Sequence, residues 1–350
     1  MTSTPAEQTP QSSTAAKGRA DDWRSIVARY QRPDIVRALY QFASTIALLG
    51  LAYFVMYHSM DWSYWVTLAL ALPTAGLLVR TFTIMHDCAH GSFLPWRRVN
   101  DLIGYVTGVL TMTPFGQWRR EHALHHASSG DLDRRGFGDI DTLTVREYLS
   151  RSRMGRLKYR LYRHPLTLLG LGPLHMIIFQ RFRERSVASG TKQQYSVLLT
   201  NVGILVGAVA FSWWVGFGDF FRLYFPTIYL AGAAGVWLFY VQHQFEDAYW
   251  ERHGEWDYAT AAVEGSSYFK LPGVLNWFTG SIGLHHVHHL GPKIPNYRLK
   301  RAHEENPFFH KVHVVRLPEA ISVLRLSLWD EEQKKLVRFR DIRGRMSTAA

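Results

Sequence analysis

Four long apolar runs decide most of what this chain can become. Residues 40–57, 197–217 and 223–242 carry no charged side chain, and residues 63–85 carry only Arg80, near their end. Each run is close to the roughly 20 apolar residues that cross a bilayer as a helix. Backbone inside hydrocarbon must satisfy its own hydrogen bonds, which leaves helices as the form open to such runs. We therefore expect an all-α integral membrane protein with four transmembrane helices in two hairpins, and a helical cap. Two weaker stretches, Leu102 to Phe115 and Leu166 to Phe179, are short and carry Gly or Pro, so we read them as re-entrant or surface-lying helices.

Charge orients the scheme. The 40 basic and 28 acidic residues leave a net charge of +12. Residues 96–192 are crowded with arginine, including Arg97, Arg98, Arg119, Arg120, Arg134 and Arg135, whereas the tight connections 57–62 and 218–221 have no Lys or Arg. The positive-inside rule then puts the arginine-rich segment, the cap and both termini in the cytoplasm. No zinc-finger spacing, RNP string or basic-region helix is present, so a membrane surface or an acidic protein is the expected partner, not nucleic acid. A single cysteine, Cys88, excludes an intramolecular disulfide framework. Residues 1–20 are rich in Ser, Thr, Gln, Ala and Pro, and read as disordered. The expected organisation is an N-terminal tail over 1–34, a membrane domain over 35–310 and a basic cytoplasmic tail over 311–350.

Histidine supplies the chemistry. Of 17 histidines, two stand in HDCAH, three in HALHH and four in HHVHH, nine in all. His86 and His90 are spaced i, i+4. His122, His125 and His126 are spaced i, i+3, i+4, and His285, His288 and His289 repeat that spacing. Residues three or four apart share a helix face, so each string aims its imidazoles at one point. Eight convergent imidazoles exceed what one ion takes, which indicates two metal ions. His286 lies about 100° round the helix from His285 and falls off that face. His243 ends the fourth apolar run at the depth of the clusters, and an ionisable group there is a functional candidate, a ninth ligand.

Imidazole suits iron, zinc and copper. The chain has no HExxH string and no Glu-x-x-His pair, so zinc-protease and carboxylate di-iron patterns are both missing. An all-histidine pair of ions can serve oxygen activation or Lewis-acid hydrolysis. Asp87, Glu246 and Asp247 stand beside the histidines in sequence and are candidates for orienting them through the second ring nitrogen. Trp65, Trp237 and Phe239 are candidate liners of an apolar substrate channel.

HDCAHGSF from His86, WRREHALHHASSGDLDRRG from Trp118, YVQHQFEDAYWE from Tyr240 and GLHHVHHLGPKIPNY from Gly283 together resemble the membrane fatty acid desaturases, in particular their acyl-lipid omega-6 (Δ12-type) branch. The likeness spans residues 35–310. It implies a di-iron, O2-dependent enzyme that puts a cis double bond into a membrane-lipid acyl chain. It also implies iron ligation by His86, His90, His122, His125, His126, His285, His288 and His289, with His243 as the extra histidine before the last box. The long interval from His243 to the last box, which contains the polar stretch over residues 246–255, departs from the family pattern at that point. No flavin, nicotinamide or haem motif appears, so electrons must come from an external carrier of ferredoxin or cytochrome b5 type, and the expected location is a bacterial inner membrane. The competing readings are a histidine-box hydroxylase or ketolase acting on lipid or carotenoid, a zinc-dependent membrane hydrolase or receptor, and a metal-storing or metal-sensing protein.

Overall fold

The computed structural model describes residues 23–342 and 344, apart from 137, 180 and 182–189. Residues 1–20, and with them the expected disorder, therefore lie outside the described residues. Residues 23–28 form a short helix, and Val27 and Tyr30 are buried against the body, so this part of the expected N-terminal tail is packed.

Each apolar run is a helix. The four are α1 (Ile35–Ser59), α2 (Tyr64–His90), α6 (Thr191–Val215) and α7 (Phe217–His243). Between α2 and α6 lie α3 (Arg97–Leu110), α4 (Phe115–Ser128) and α5 (Arg153–Tyr162); after α7 come α8 (His285–Leu290) and α9 (Asn296–Glu305). Local chemistry sets the ends. Asp34 caps α1 by accepting from the Arg37 N–H at 3.1 Å. Gly91 stops α2 at φ 66°, a left-handed conformation that glycine adopts without a Cβ penalty. The α2 run therefore continues past its apolar part and carries His86 and His90 on its last turns.

Helix α2 is the hub. It packs against α1, α3 and α7, and 61% of its apolar window is buried, against 11% for α6. The outward faces of α1 and α6 expose apolar residues such as Leu51, Trp213 and Leu205. The first weak stretch forms α3 and the turn before α4. The second forms π-helical turns at Thr167–Leu171 and His175–Phe179 joined by Gly172–Leu174, and it runs along α7. There Tyr229 Oη donates to Gly170 O at 3.1 Å, and Gly172 faces Val236.

The all-α expectation needs correction. Strand β1 (Leu143–Thr144) pairs parallel with β4 (Leu328–Asp330), which pairs antiparallel with β5 (Lys335–Val337). Strand β2 (Tyr268–Lys270) pairs parallel with β3 (Val314–Arg316). Strands of two or three residues are too short for an alternating pattern to register in sequence. Residues 311–350, expected as a tail, contain three of these strands and bury Leu326, Leu328, Trp329 and Leu336.

Gly283 shows how closely the cap is fitted around the last histidine string. A Cβ there would lie 2.4 Å from the backbone oxygen of Phe269 in β2. Backbone cannot move as a side-chain tip can, so Gly283→Ala is expected to cost about 1–3 kcal/mol, as overpacking does. The expected result is a lower thermal midpoint in detergent, measured against Gly50→Ala, whose Cβ meets nothing within 4 Å.

Candidate metal centre

Three helices and the end of a fourth bring nine imidazoles together. His86 and His90 come from the end of α2, His122, His125 and His126 from α4, His243 from the last residue of α7, and His285, His288 and His289 from α8. They form two groups, each with one ligand-capable atom per residue and all such atoms within 4.8 Å of one another. One contains His86, His90, His122, His126 and His288; the other contains His125, His243, His285 and His289. The groups adjoin, with His126 and His289 stacked at 4.2 Å between ring centroids.

Ring nitrogens face ring nitrogens throughout. In the five-residue group the Nε2 of His288 lies 3.0 Å from those of His86 and His126, and His126 lies 3.1 Å from His122. In the four-residue group the Nε2 of His243 is 3.2 Å from His125 and 3.0 Å from His285, and His285 is 3.1 Å from His289. An imidazole nitrogen has one in-plane lone pair or one hydrogen, so His288, His126, His243 and His285 cannot each hydrogen-bond to two such neighbours. A cation among converging lone pairs satisfies them all at once.

The spacing also suits one. Two nitrogens about 2.1 Å from a common ion and at right angles are about 3.0 Å apart, against about 3.4 Å in a tetrahedral site. The buried Nε2 of His90, without a hydrogen-bond partner among the described residues, fits the same picture.

Burial favours the neutral form of five of these rings. It pushes His122, His126, His285, His288 and His289 well below the ordinary imidazole range, and neighbouring imidazoles push in the same direction. Neutral imidazole is the form that offers a lone pair to a metal.

Two carboxylates orient rings from behind. Asp87 Oδ1 is 3.3 Å from His86 Nδ1, while its Oδ2 accepts from the backbone N and Nδ2 of Asn296 at 2.7 and 2.8 Å. Asp139 Oδ1 lies 2.5 Å from His125 Nδ1. Glu246 and Asp247 take no such part: Glu246 approaches Lys335 at 3.5 Å and Asp247 approaches His313 at 3.7 Å. The chain turns away after His243, with Gln244 at φ −120° and ψ 69°, so proximity in sequence does not carry into space. Asp139 escaped sequence reading because it lies in an irregular segment 14 positions after His125.

His286 is fully buried yet belongs to neither group. Its Nε2 lies 3.3 Å from His303 Nδ1, and burial, followed by His303, lowers its pKa to about 3. Of the candidate channel liners, Phe239 borders the centre, 4.8 Å from His243 and 5.2 Å from His125 between ring centroids. Trp65 is 81% exposed, and Trp237 donates to Ala320 O at 3.2 Å, so neither reaches it. Much of the arginine-rich segment is engaged internally: Arg119 pairs with Asp101, Arg134 with Asp131, and Arg135 with Glu147.

Known proteins match this chain over most of its length. The fatty acid desaturase family model matches residues 60–317. A fatty acid desaturase of Bacillus subtilis (strain 168) is 45% identical over 319 residues, covering 91% of this chain and 90% of that protein. An sn-1 acyl-lipid omega-3 desaturase (ferredoxin) of Nostoc sp. (strain 36) is 26% identical over 82% of this chain and 81% of its own length. An sn-1 oleoyl-lipid 12-desaturase of Anabaena variabilis is 26% identical over 76% and 75% respectively. With nine histidines gathered into two metal-capable groups, and with matches of this extent, the chain belongs to the fatty acid desaturase family.

Proposed function

We propose that this protein is an O2-dependent acyl-lipid desaturase that holds two iron ions and introduces a cis double bond into a membrane-lipid acyl chain. The observation that carries this reading is the convergence of His86, His90, His122, His126 and His288 on one point and of His125, His243, His285 and His289 on another. Removing hydrogen from an unactivated methylene needs an oxidant that side chains lack, and a reduced iron pair with O2 supplies it. In the balance, O2 takes two hydrogens from adjacent carbons, two electrons and two protons, and leaves as two waters.

The chain's own part is to hold and to exclude. Five histidines hold one ion and four the other, Asp87 and Asp139 fix the rings of His86 and His125, and burial keeps bulk water from the centre. Phe239 closes the apolar side beside His125 and His243. In this reading α1, α2, α6 and α7 cross a bacterial inner membrane as two hairpins, with the cap and termini cytoplasmic. The alkyl chain enters from the bilayer, and a soluble ferredoxin or cytochrome b5 type carrier delivers electrons to the cap. The relatives whose names specify acyl lipid and ferredoxin support both partners.

Expression in a host without polyunsaturated lipids, with a ferredoxin and its reductase supplied, tests the reading through gas chromatography–mass spectrometry of the lipids. A new cis double bond that requires O2, with about two irons per chain, is the expected result. A new hydroxyl without a double bond would assign the chain to hydroxylation instead. Activity that persists without O2 in protein holding zinc and no iron would overturn the oxidase.

Asp139→Asn keeps the shape beside His125 and removes the charge that supports its ring. Loss of such an outer partner typically costs 10–100-fold in metal affinity. We expect a loss of about that size at one of the two ions, read by dialysis against a graded chelator.

A further inference from the structure

Arg163 follows α5 and is only 1% exposed. Arginine is rarely buried to this degree without a paired acid. Here the hydrogen-bond acceptors are all neutral oxygens. Its Nη1 donates to Asp141 O at 2.9 Å, Thr142 Oγ1 at 3.1 Å and Tyr159 Oη at 3.4 Å. Its Nη2 donates to Gln244 Oε1 at 2.7 Å, Tyr240 Oη at 2.9 Å and Leu326 O at 3.0 Å. A guanidinium is a rigid planar fork, so the five acceptors outside α5, on three separate segments, are held at fixed mutual positions.

Two of those segments lead to one half of the metal centre. Tyr240, on the last turn of α7, and Gln244, just past its end, stand on either side of His243 in the chain. Asp141 and Thr142 follow closely on Asp139, whose carboxylate holds His125. His243 and His125 are both in the four-histidine group and 3.2 Å apart at Nε2. The carboxylate that serves the five-histidine group, Asp87, is held instead by Asn296.

We propose that Arg163 is a positioning residue for the four-histidine group alone, setting the distance between His243 and the Asp139-supported His125. This rests on the two-metal reading above. The segment after α5, the 141–142 connection and the C-terminal strand region are thus tied to one ion and not to the other.

The test loads the chelator-stripped, detergent-solubilised full chain with Co2+ and reads both stoichiometry and the cobalt absorption bands. Wild type is expected to hold two ions; fewer would refute the two-metal reading and this inference with it, before any variant is compared. His243→Ala and His90→Ala supply reference spectra for damage to each group. Arg163→Lys keeps a cation but not the fork, and is expected to weaken one ion by about 10–100-fold, the usual effect of an outer partner. Its spectrum should match that of His243→Ala while the other ion keeps its affinity.

Tyr148→Leu is the structural control. It loosens packing beneath α5, where the Tyr148 and Tyr159 rings are 6.0 Å apart, and it removes none of the acceptors of Arg163. It should retain both ions. Equal weakening of both ions in Arg163→Lys, or none, overturns the proposal. If Arg163→Lys does not fold, Tyr240→Phe, which removes one acceptor beside His243, decides. Selective weakening supports the assignment, and two unchanged ions refute it.

Discussion

Alanine at His122 or at His288 is expected to abolish formation of the double bond. The two residues come from different helices, α4 and α8, yet share the five-histidine group. His288 is the more central, since its Nε2 lies 3.0 Å from both His86 and His126. Removing it takes away one donor and loosens the point on which its neighbours converge. Product should fall at least about 100-fold, the upper end of what even an outer partner costs, with iron per chain falling alongside it. The measurement is the lipid profile of the expressing host together with metal analysis of the purified variant.

His286→Ala provides the contrast from the same string. That ring is equally buried but meets His303, Tyr268 and Phe309. It should cost stability, about 1–3 kcal/mol as buried truncations do, and leave iron content unchanged. Normal product from His122→Ala, or iron loss from His286→Ala, would show that the grouping of imidazoles does not describe the working centre.

The contrast marks where sequence is informative. Spacings of three and four place His122, His125 and His126 on one face because helix geometry is periodic, and the same rule separates His286 from His285. His243 was legible from position, at the end of an apolar run where a polar ring has few roles. Long-range partners leave no such trace. Asp139 lies outside any periodic element, and Arg163 meets acceptors 77, 81 and 163 positions away. Arg163 stands in a segment whose arginines read alike as surface charge, yet it is buried. Glu246 and Asp247 fail for the complementary reason: adjacency along the chain is not adjacency in space once the helix has ended. The short strands are invisible for a similar cause, since each is specified by a partner distant in sequence and not by its own pattern.

The most consequential of those unseen pairings concerns the C-terminal segment, where the two readings make opposite forecasts. A basic tail over residues 311–350 would be dispensable. The structure instead makes β3 the strand partner of β2 and β4 the strand partner of β1. It buries Val323, Leu324, Leu326, Leu328, Trp329 and Leu336. At about 2 kcal/mol each, six such side chains come to about 12 kcal/mol of burial, comparable to the whole net stability of a typical domain. Deletion would also strip the Leu326 carbonyl from Arg163 and from Tyr240 Oη, leaving buried donors unsatisfied beside His243. Ending the chain after His310 is therefore expected to leave no folded protein and no product. Ending it after Gly344 keeps every one of these contacts and should match the full chain. Size-exclusion profiles of the two truncations in detergent, with the lipid profile of each host, separate the forecasts. A chain ending at His310 that elutes as a single species and still makes the product would restore the tail and remove the C-terminal strands from the account of the metal centre.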